Sequence, residues 1–249
     1  MKLSNKTILL TGGSRGIGRA LALQLLEHDP RRLVLVGRDQ TMLNAVAAQD
    51  SRIVPIACNL ADRSEVDRLV ARIAQDFPDL AVLINNAGSQ LMTELVRPEA
   101  PAHLSALRDE MTANFETAIA LAIGVMPVLL AQPEAMIVNV TSGLALAPKQ
   151  SSPIYCATKA GLRSFTKALR YQARRAAPHL RVIEALPPMV DTDMTKGRGK
   201  AKMSPEDCAA AILSAMLADR DTAYIGLSRV LRIVQGLSPS LADRLMRNA

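Results

Sequence analysis

Aromatic side chains are scarce: there is no Trp, and only three Phe and three Tyr are spread over 249 residues. That excludes a surface organised around stacked nucleobases, and it leaves Leu, Val, Ile, Ala and Met to build the core, which suits packed helices and parallel strands. Cysteine is equally sparse. Cys58, Cys156 and Cys208 are odd in number, widely separated and not at metal-ligand spacing from His28, His103 or His179, so reduced thiols are expected and no metal centre. Long apolar runs are also missing. The uncharged stretch from Thr117 to Ala131 falls short of the ~20 residues of a membrane span and contains Gly124 and Pro127. Lys2 and Lys6 are followed only by a short apolar run feeding a glycine-rich loop, so no secretory leader is read there and a soluble, cytoplasmic protein is expected.

No Pro/Gly/Ser-rich linker divides the chain, so residues 1–249 are read as one domain. Thirty Lys and Arg against 23 Asp and Glu give a formal charge of +7, compatible with an acidic substrate, a phosphate-bearing cofactor or an anionic surface. The cations are scattered and no nucleic-acid motif accompanies them, so nucleic acid is not expected as a partner.

Short apolar runs bounded by turn residues alternate with segments of helical period, the pattern of repeated βαβ units. Strands are expected at 7–11, 33–37, 53–57, 81–85, 136–141, 181–186 and 223–226, and helices at 17–28, 40–49, 63–76, 104–131, 154–175 and 205–218. This makes a doubly wound α/β fold with seven strands. In such sheets ligands bind beyond the carboxyl ends of the strands, which is where Gly12, Arg38, Asn59, Asn86, Ser142 and Pro187 fall. The 104–131 segment is apolar almost all round in its second half, so it is expected to lie buried or against a second subunit, in a homodimer or homotetramer.

After the first strand comes Thr11-Gly12-Gly13-Ser14-Arg15-Gly16-Ile17-Gly18, leading into a helix. Glycines allow a tight turn and let backbone N–H groups approach a pyrophosphate at the positive end of the helix dipole. The second strand ends in Gly37-Arg38, without the carboxylate that would hold a ribose 2′-hydroxyl. Arg38 and Arg15 together suit a 2′-phosphate, so NADP(H) is the expected cofactor. Asp39 keeps NAD(H) as the alternative.

Downstream lie Ser142 and the helical run Tyr155-Cys156-Ala157-Thr158-Lys159, whose four-residue spacing puts the phenol and the ammonium on one face. A nearby cation lowers the pKa of a phenol and makes it a usable acid or base. Cys156 points about 100° away around the helix and is read as a core thiol.

With the glycine run, Asn85-Asn86-Ala87-Gly88, Asn114, Ser142 and Tyr155-Cys-Ala-Thr-Lys159 in order, the chain resembles the short-chain dehydrogenase/reductase family over essentially its whole length, and within it the Dlt-type oxidoreductases. The resemblance implies a Rossmann fold, a seven-stranded parallel sheet with helices on both faces. It implies Tyr155 as general acid/base, Ser142 as the hydroxyl that orients the carbonyl, Lys159 as the group that tunes the phenol and binds the nicotinamide ribose, and Asn114 as support for a proton relay. Gly12, Ser14, Arg15, Gly16, Ile17, Gly18, Arg38, Asn59, Leu60, Asn86, Ala87 and Gly88 would surround the cofactor, with Pro187, Val190 and Thr192 near its carboxamide. Pro188 departs from the family's usual glycine there.

The implied activity is interconversion of a carbonyl and an alcohol. A 3-oxoacyl-carrier-protein-type reductase and a non-catalytic NADP-sensing protein are the alternatives. Gln90, Leu91, Leu144, Leu146, Pro148, Met189 and Val190 are expected to flank the carbonyl, giving an apolar pocket, and Lys196 to Lys202 to form a basic lid. Residues 226–249 read as a basic amphipathic extension that packs on a partner subunit or touches a membrane surface.

Overall fold

The computed structural model describes residues 1–199 and 201–248. Strands Thr7–Thr11 (β1), Arg32–Gly37 (β2), Ile53–Ala57 (β3), Leu80–Asn85 (β4), Ala135–Val140 (β5), Leu180–Leu186 (β6) and Thr222–Tyr224 (β7) form one parallel sheet in the order β3-β2-β1-β4-β5-β6-β7. The order reverses between β1 and β4, which opens a crevice at their carboxyl ends.

Alternation along each strand fills both faces. Ile8, Leu10, Leu33 and Leu35 meet helices Gly16–Leu26 (α1), Gln40–Ala47 (α2) and Pro205–Leu217 (α8). Leu9, Val34, Val36 and Leu83 meet the helices Arg63–Asp76 (α3), Thr117–Gly124 (α5) and Pro153–Ala176 (α7) on the other side. The seven strands and both helical layers match the expected Rossmann architecture.

The single helix expected over 104–131 is instead three: Leu104–Met111 (α4), α5 and Met126–Leu130 (α6). Thr112–Glu116 winds as a π-helical turn between α4 and α5. Gly124 lies against α3, where a Cβ would stand 2.4 Å from Val70 Cγ1, and the chain breaks at Val125 before Pro127 starts the next helix. The segment is not buried all round: Leu121, Ala122, Val125 and Leu129 face the core, whereas Ile123 is 62% exposed.

The C-terminal segment forms Leu227–Leu237 (α9) and Pro239–Met246 (α10). Leu231, Val234, Ala242 and Met246 pack against Leu146 and Ala147, while Leu227, Val230, Ile233, Leu237, Leu241 and Leu245 remain exposed. No helix among the described residues is long and apolar enough to cross a membrane.

Candidate active site

Gly12 and Gly16 have φ of +71° and +52°, which only glycine adopts without strain. Gly18 is fixed by space: a Cβ there would sit 1.9 Å from the Gly12 carbonyl oxygen. Asn86 anchors the loop, donating from Nδ2 to the carbonyls of Thr11 and Gly12 at 3.1 and 3.4 Å, while Thr11 Oγ1 accepts the N–H groups of Asn86 and Ala87. Arg15, the residue before α1, makes no side-chain cap, so the first-turn N–H groups of that helix stay free for a phosphate. This cradle fits the pyrophosphate of a dinucleotide.

The other predicted cradle residues differ in what they do. Ser14 Oγ lies 3.5 Å from where a Cβ on Gly37 would be, and Arg38 is exposed at the end of β2 with no ion pair among the described residues. Asp39 caps α2 by accepting the Met42 N–H at 3.0 Å; the pattern of an acid three residues before that amide is a signal the sequence carried. Arg15 is paired with Asp193 at 3.6 Å. Asn59 closes a turn with Ala61, Leu60 gives its carbonyl to Thr117, and Ile17 packs toward the core. Thr192 faces the loop, its Cγ2 3.0 Å from a would-be Cβ on Gly16, and the Pro187 carbonyl accepts from Gly143 N. Val190, at 3% exposure, packs in the core beneath α8 and bridges Met203.

A buried polar ladder sets the position of α7. Asn85 Nδ2 donates to Asn139 Oδ1 at 2.9 Å, and Asn139 Nδ2 donates to Thr166 Oγ1 at 2.8 Å, tying β4, β5 and the helix together. Two turns earlier on α7, Lys159 Nζ donates to the carbonyl of Val140 at 2.9 Å and lies 5.8 Å from the Tyr155 ring centre. Gly88 leaves room for Asn114, since a Cβ there would stand 3.2 Å from its Oδ1. Ser142 follows β5, its Oγ accepting the Leu144 N–H at 3.1 Å, and its hydroxyl favours the ionised form of the Tyr155 phenol. Asn114 sits in the π-helical turn, clasping Ser89 through both backbone groups at 2.8 Å and reaching Thr158 at 3.4 Å. Such turns recur at functional sites.

The electrostatics depart from the simple picture of a cation lowering a phenol. Burial pushes Tyr155 up to about 12 against the opposing pull of the Ser142 hydroxyl, and burial holds Lys159 down at about 8. Glu110 acts in the other direction on Lys159. This α4 carboxyl is 2% exposed, accepts the Leu91 N–H at 3.2 Å through Oε1, and leaves Oε2 without a partner; burial raises its pKa while Lys159 opposes the rise. Sequence reasoning missed it, because a glutamate in a helix of mixed polarity reads as solvated.

Leu144 and Pro148 line a largely apolar cavity together with Lys149, Asp243 and Arg247. Leu146 turns toward α9, and Lys149, in the loop between Ser142 and Tyr155, is 4% exposed. Arg198 of the expected lid donates from Nη1 to Gln90 Oε1 at 2.7 Å, and Lys202 is bound to Asp191 at 2.9 Å; Lys200 lies outside the described residues. Cys156 turns toward Lys149, away from the phenol, and all three cysteines are buried and free. No metal-type cluster occurs among the described residues.

A family model described as short chain dehydrogenase matches residues 6–203. The uncharacterized oxidoreductase DltE of Bacillus subtilis (strain 168) is 42% identical over 201 residues, covering 80% of this chain and 78% of that protein. A short-chain dehydrogenase from Burkholderia cenocepacia J2315, crystallised with NADP, superposes with a TM-score of 0.87 at 25% identity over the whole of both chains. One from Burkholderia phymatum, crystallised with NAD, gives 0.82 at 21% identity over 100% of this chain and 97% of the other.

Proposed function

This chain belongs to the short-chain dehydrogenase family, and from that premise we propose an NADP(H)-dependent oxidoreductase that interconverts a carbonyl and an alcohol, with Tyr155 as general acid/base. The observation that supports it most is Lys159, fixed to the Val140 carbonyl at 2.9 Å and 5.8 Å from the Tyr155 ring centre, with Ser142 two residues beyond Val140. Binding a dinucleotide calls on Lys159 at most, whereas protonating a carbonyl oxygen calls on the two hydroxyls as well.

When bound, the nicotinamide supplies the hydride. Ser142 and Tyr155 donate to the substrate oxygen as negative charge builds on it, and Tyr155 releases its proton to that oxygen. Lys159 stabilises the phenolate left behind and offers its remaining N–H donors to the nicotinamide ribose. Asn114 holds Ser89 and the cleft wall in place.

Preference for NADP(H) rests on Arg38, exposed beside the glycine loop, and on Asp39 being committed to the cap of α2. Arg38→Asp is expected to weaken NADPH binding by about tenfold or more while sparing NADH, as loss of a charge-assisted bond implies. An unchanged NADPH/NADH ratio in a fluorescence titration would reject the phosphate clamp.

The activity itself is tested by a screen of aldehydes, ketones and acyl thioesters for NADPH oxidation. Tyr155→Phe should reduce turnover by about 10²–10⁴-fold and keep cofactor affinity. Binding without oxidation across the panel would favour the sensing protein instead.

A further inference from the structure

Side chains alternate along β5 and β6, so that Ile137 and Val182 face α7 and the next positions on that face are Asn139, Thr141 and Glu184. A strand buried on both faces is expected to be apolar. Glu184 instead places a carboxylate there, at 3% exposure.

Its two oxygens go to different elements. Oε1 accepts the Thr141 hydroxyl at 2.9 Å, and Oε2 accepts Arg163 Nη1 at 2.9 Å. Thr141 is the residue before Ser142, and Arg163 lies on α7 one turn past Lys159 and two turns past Tyr155. One carboxylate therefore joins the loop that carries the serine to the helix that carries the phenol and the ammonium. Both ends are steadied by further bonds. The Thr141 hydroxyl and N–H reach the Ala185 carbonyl at 3.2 and 2.8 Å. Arg163 Nη2 donates to the Tyr224 hydroxyl at 3.0 Å, and the guanidinium of Arg232 on α9 covers that ring at 4.6 Å.

Stability does not explain the choice of a charged pair. A buried ion pair returns little more than apolar side chains of the same size, because both charges give up water. What it adds is geometry, since a carboxylate fixes two donors at once. Ser142 and Tyr155 have to reach one substrate oxygen together, and an error of about 1 Å in such a placement costs on the order of 100-fold in rate.

We propose that Glu184 is a positioning residue for carbonyl reduction, setting the separation of Ser142 and Tyr155 by holding Thr141 with one oxygen and Arg163 with the other. It acts through those two neighbours and not on the substrate. This rests on the roles given to Ser142 and Tyr155 above.

The test uses the aldehyde or ketone that the panel shows to be reduced fastest with NADPH. Thr141→Val, which removes the donor to Oε1, is expected to lower kcat by about tenfold or more and to leave NADPH affinity unchanged. Thr141→Ser keeps the donor and should restore most of the rate. Placed in Ser142→Ala, Thr141→Val should cost almost nothing further, because the serine it aims is gone; costs that multiply would overturn the proposal. Arg163→Met/Glu184→Met exchanges the pair for apolar side chains, so it should melt close to the wild type and still lose kcat by about tenfold or more. Wild-type kcat in that double variant would reduce the pair to packing. A readout that needs no turnover is deuterium exchange at the Leu144 amide, which Ser142 Oγ holds. It should quicken by about tenfold or more in Thr141→Val, with the α7 amides as protected as in the wild type; unaltered exchange at Leu144 would overturn the grip of Glu184 on the loop. Quickened exchange together with no carbonyl reduced by the wild type would strike the oxidoreductase reading, and the role in reduction with it, while leaving that grip in place.

Discussion

A phenol raised to about 12 carries its proton throughout the neutral range, so Tyr155 is ready to protonate an alkoxide but is seldom ionised. Because the pKa is raised, the phenolate fraction at a given pH is smaller than for a free tyrosine and grows as pH increases. Alcohol oxidation, which needs the phenolate, should therefore accelerate between about pH 7 and 9, whereas carbonyl reduction should not; initial rates in both directions check this. Lys159 has the opposite problem. With its pKa depressed to about 8, it loses charge as pH rises through that value, and Glu110 is the group that resists the loss. Glu110→Gln should move the fall in NADPH affinity to lower pH, with Glu110→Asp between it and wild type; an unmoved profile in pH-series titrations would show the carboxyl to be packing alone. The spacing of Tyr155 and Lys159 was legible because helix periodicity is a local property, and Ser142 because it closes an apolar strand. Glu110 and Lys149 were not, because what sets them apart is burial by distant segments, and neither residue type announces burial in its neighbours.

At the level of elements, the strands were readable to within a few residues because each is an apolar run closed by turn residues, and a parallel sheet buries both of its faces. The 104–131 segment was misread as continuous because its composition stays helical through both interruptions. The π-helical turn at Thr112–Glu116 leaves no mark in a hydrophobic pattern, and the break at Gly124 comes from close approach to Val70 on α3. The turn rephases α4 relative to α5. Deleting Ala113 should restore a regular helix and rotate α4 by about 100°, carrying Glu110 away from Lys159; far-UV circular dichroism should be kept while turnover is lost. In the cradle, Gly18→Ala forces a Cβ onto the Gly12 carbonyl and is expected to cost about 1–3 kcal/mol or more in denaturant unfolding, with cofactor affinity lost in parallel.

For the whole molecule, the apolar side chains still at the surface include Ile123 and Tyr171 on α5 and α7, and the outer stripe of α9 and α10 with Arg229, Arg232 and Arg244. The first pair fits a homo-oligomer, and light scattering should report a mass above one chain that Ile123→Glu reduces. The stripe keeps membrane contact open to a vesicle flotation assay with anionic lipid. The ladder from Asn85 through Asn139 to Thr166 has a further effect on how the protein fails. It roots α7 in the two middle strands, so the amides around Lys159 should exchange with solvent deuterium only through global opening, while those of the 196–199 segment exchange by local fraying. On heating, catalysis and fold should then disappear together, with no window in which an intact sheet carries a disassembled reactive centre.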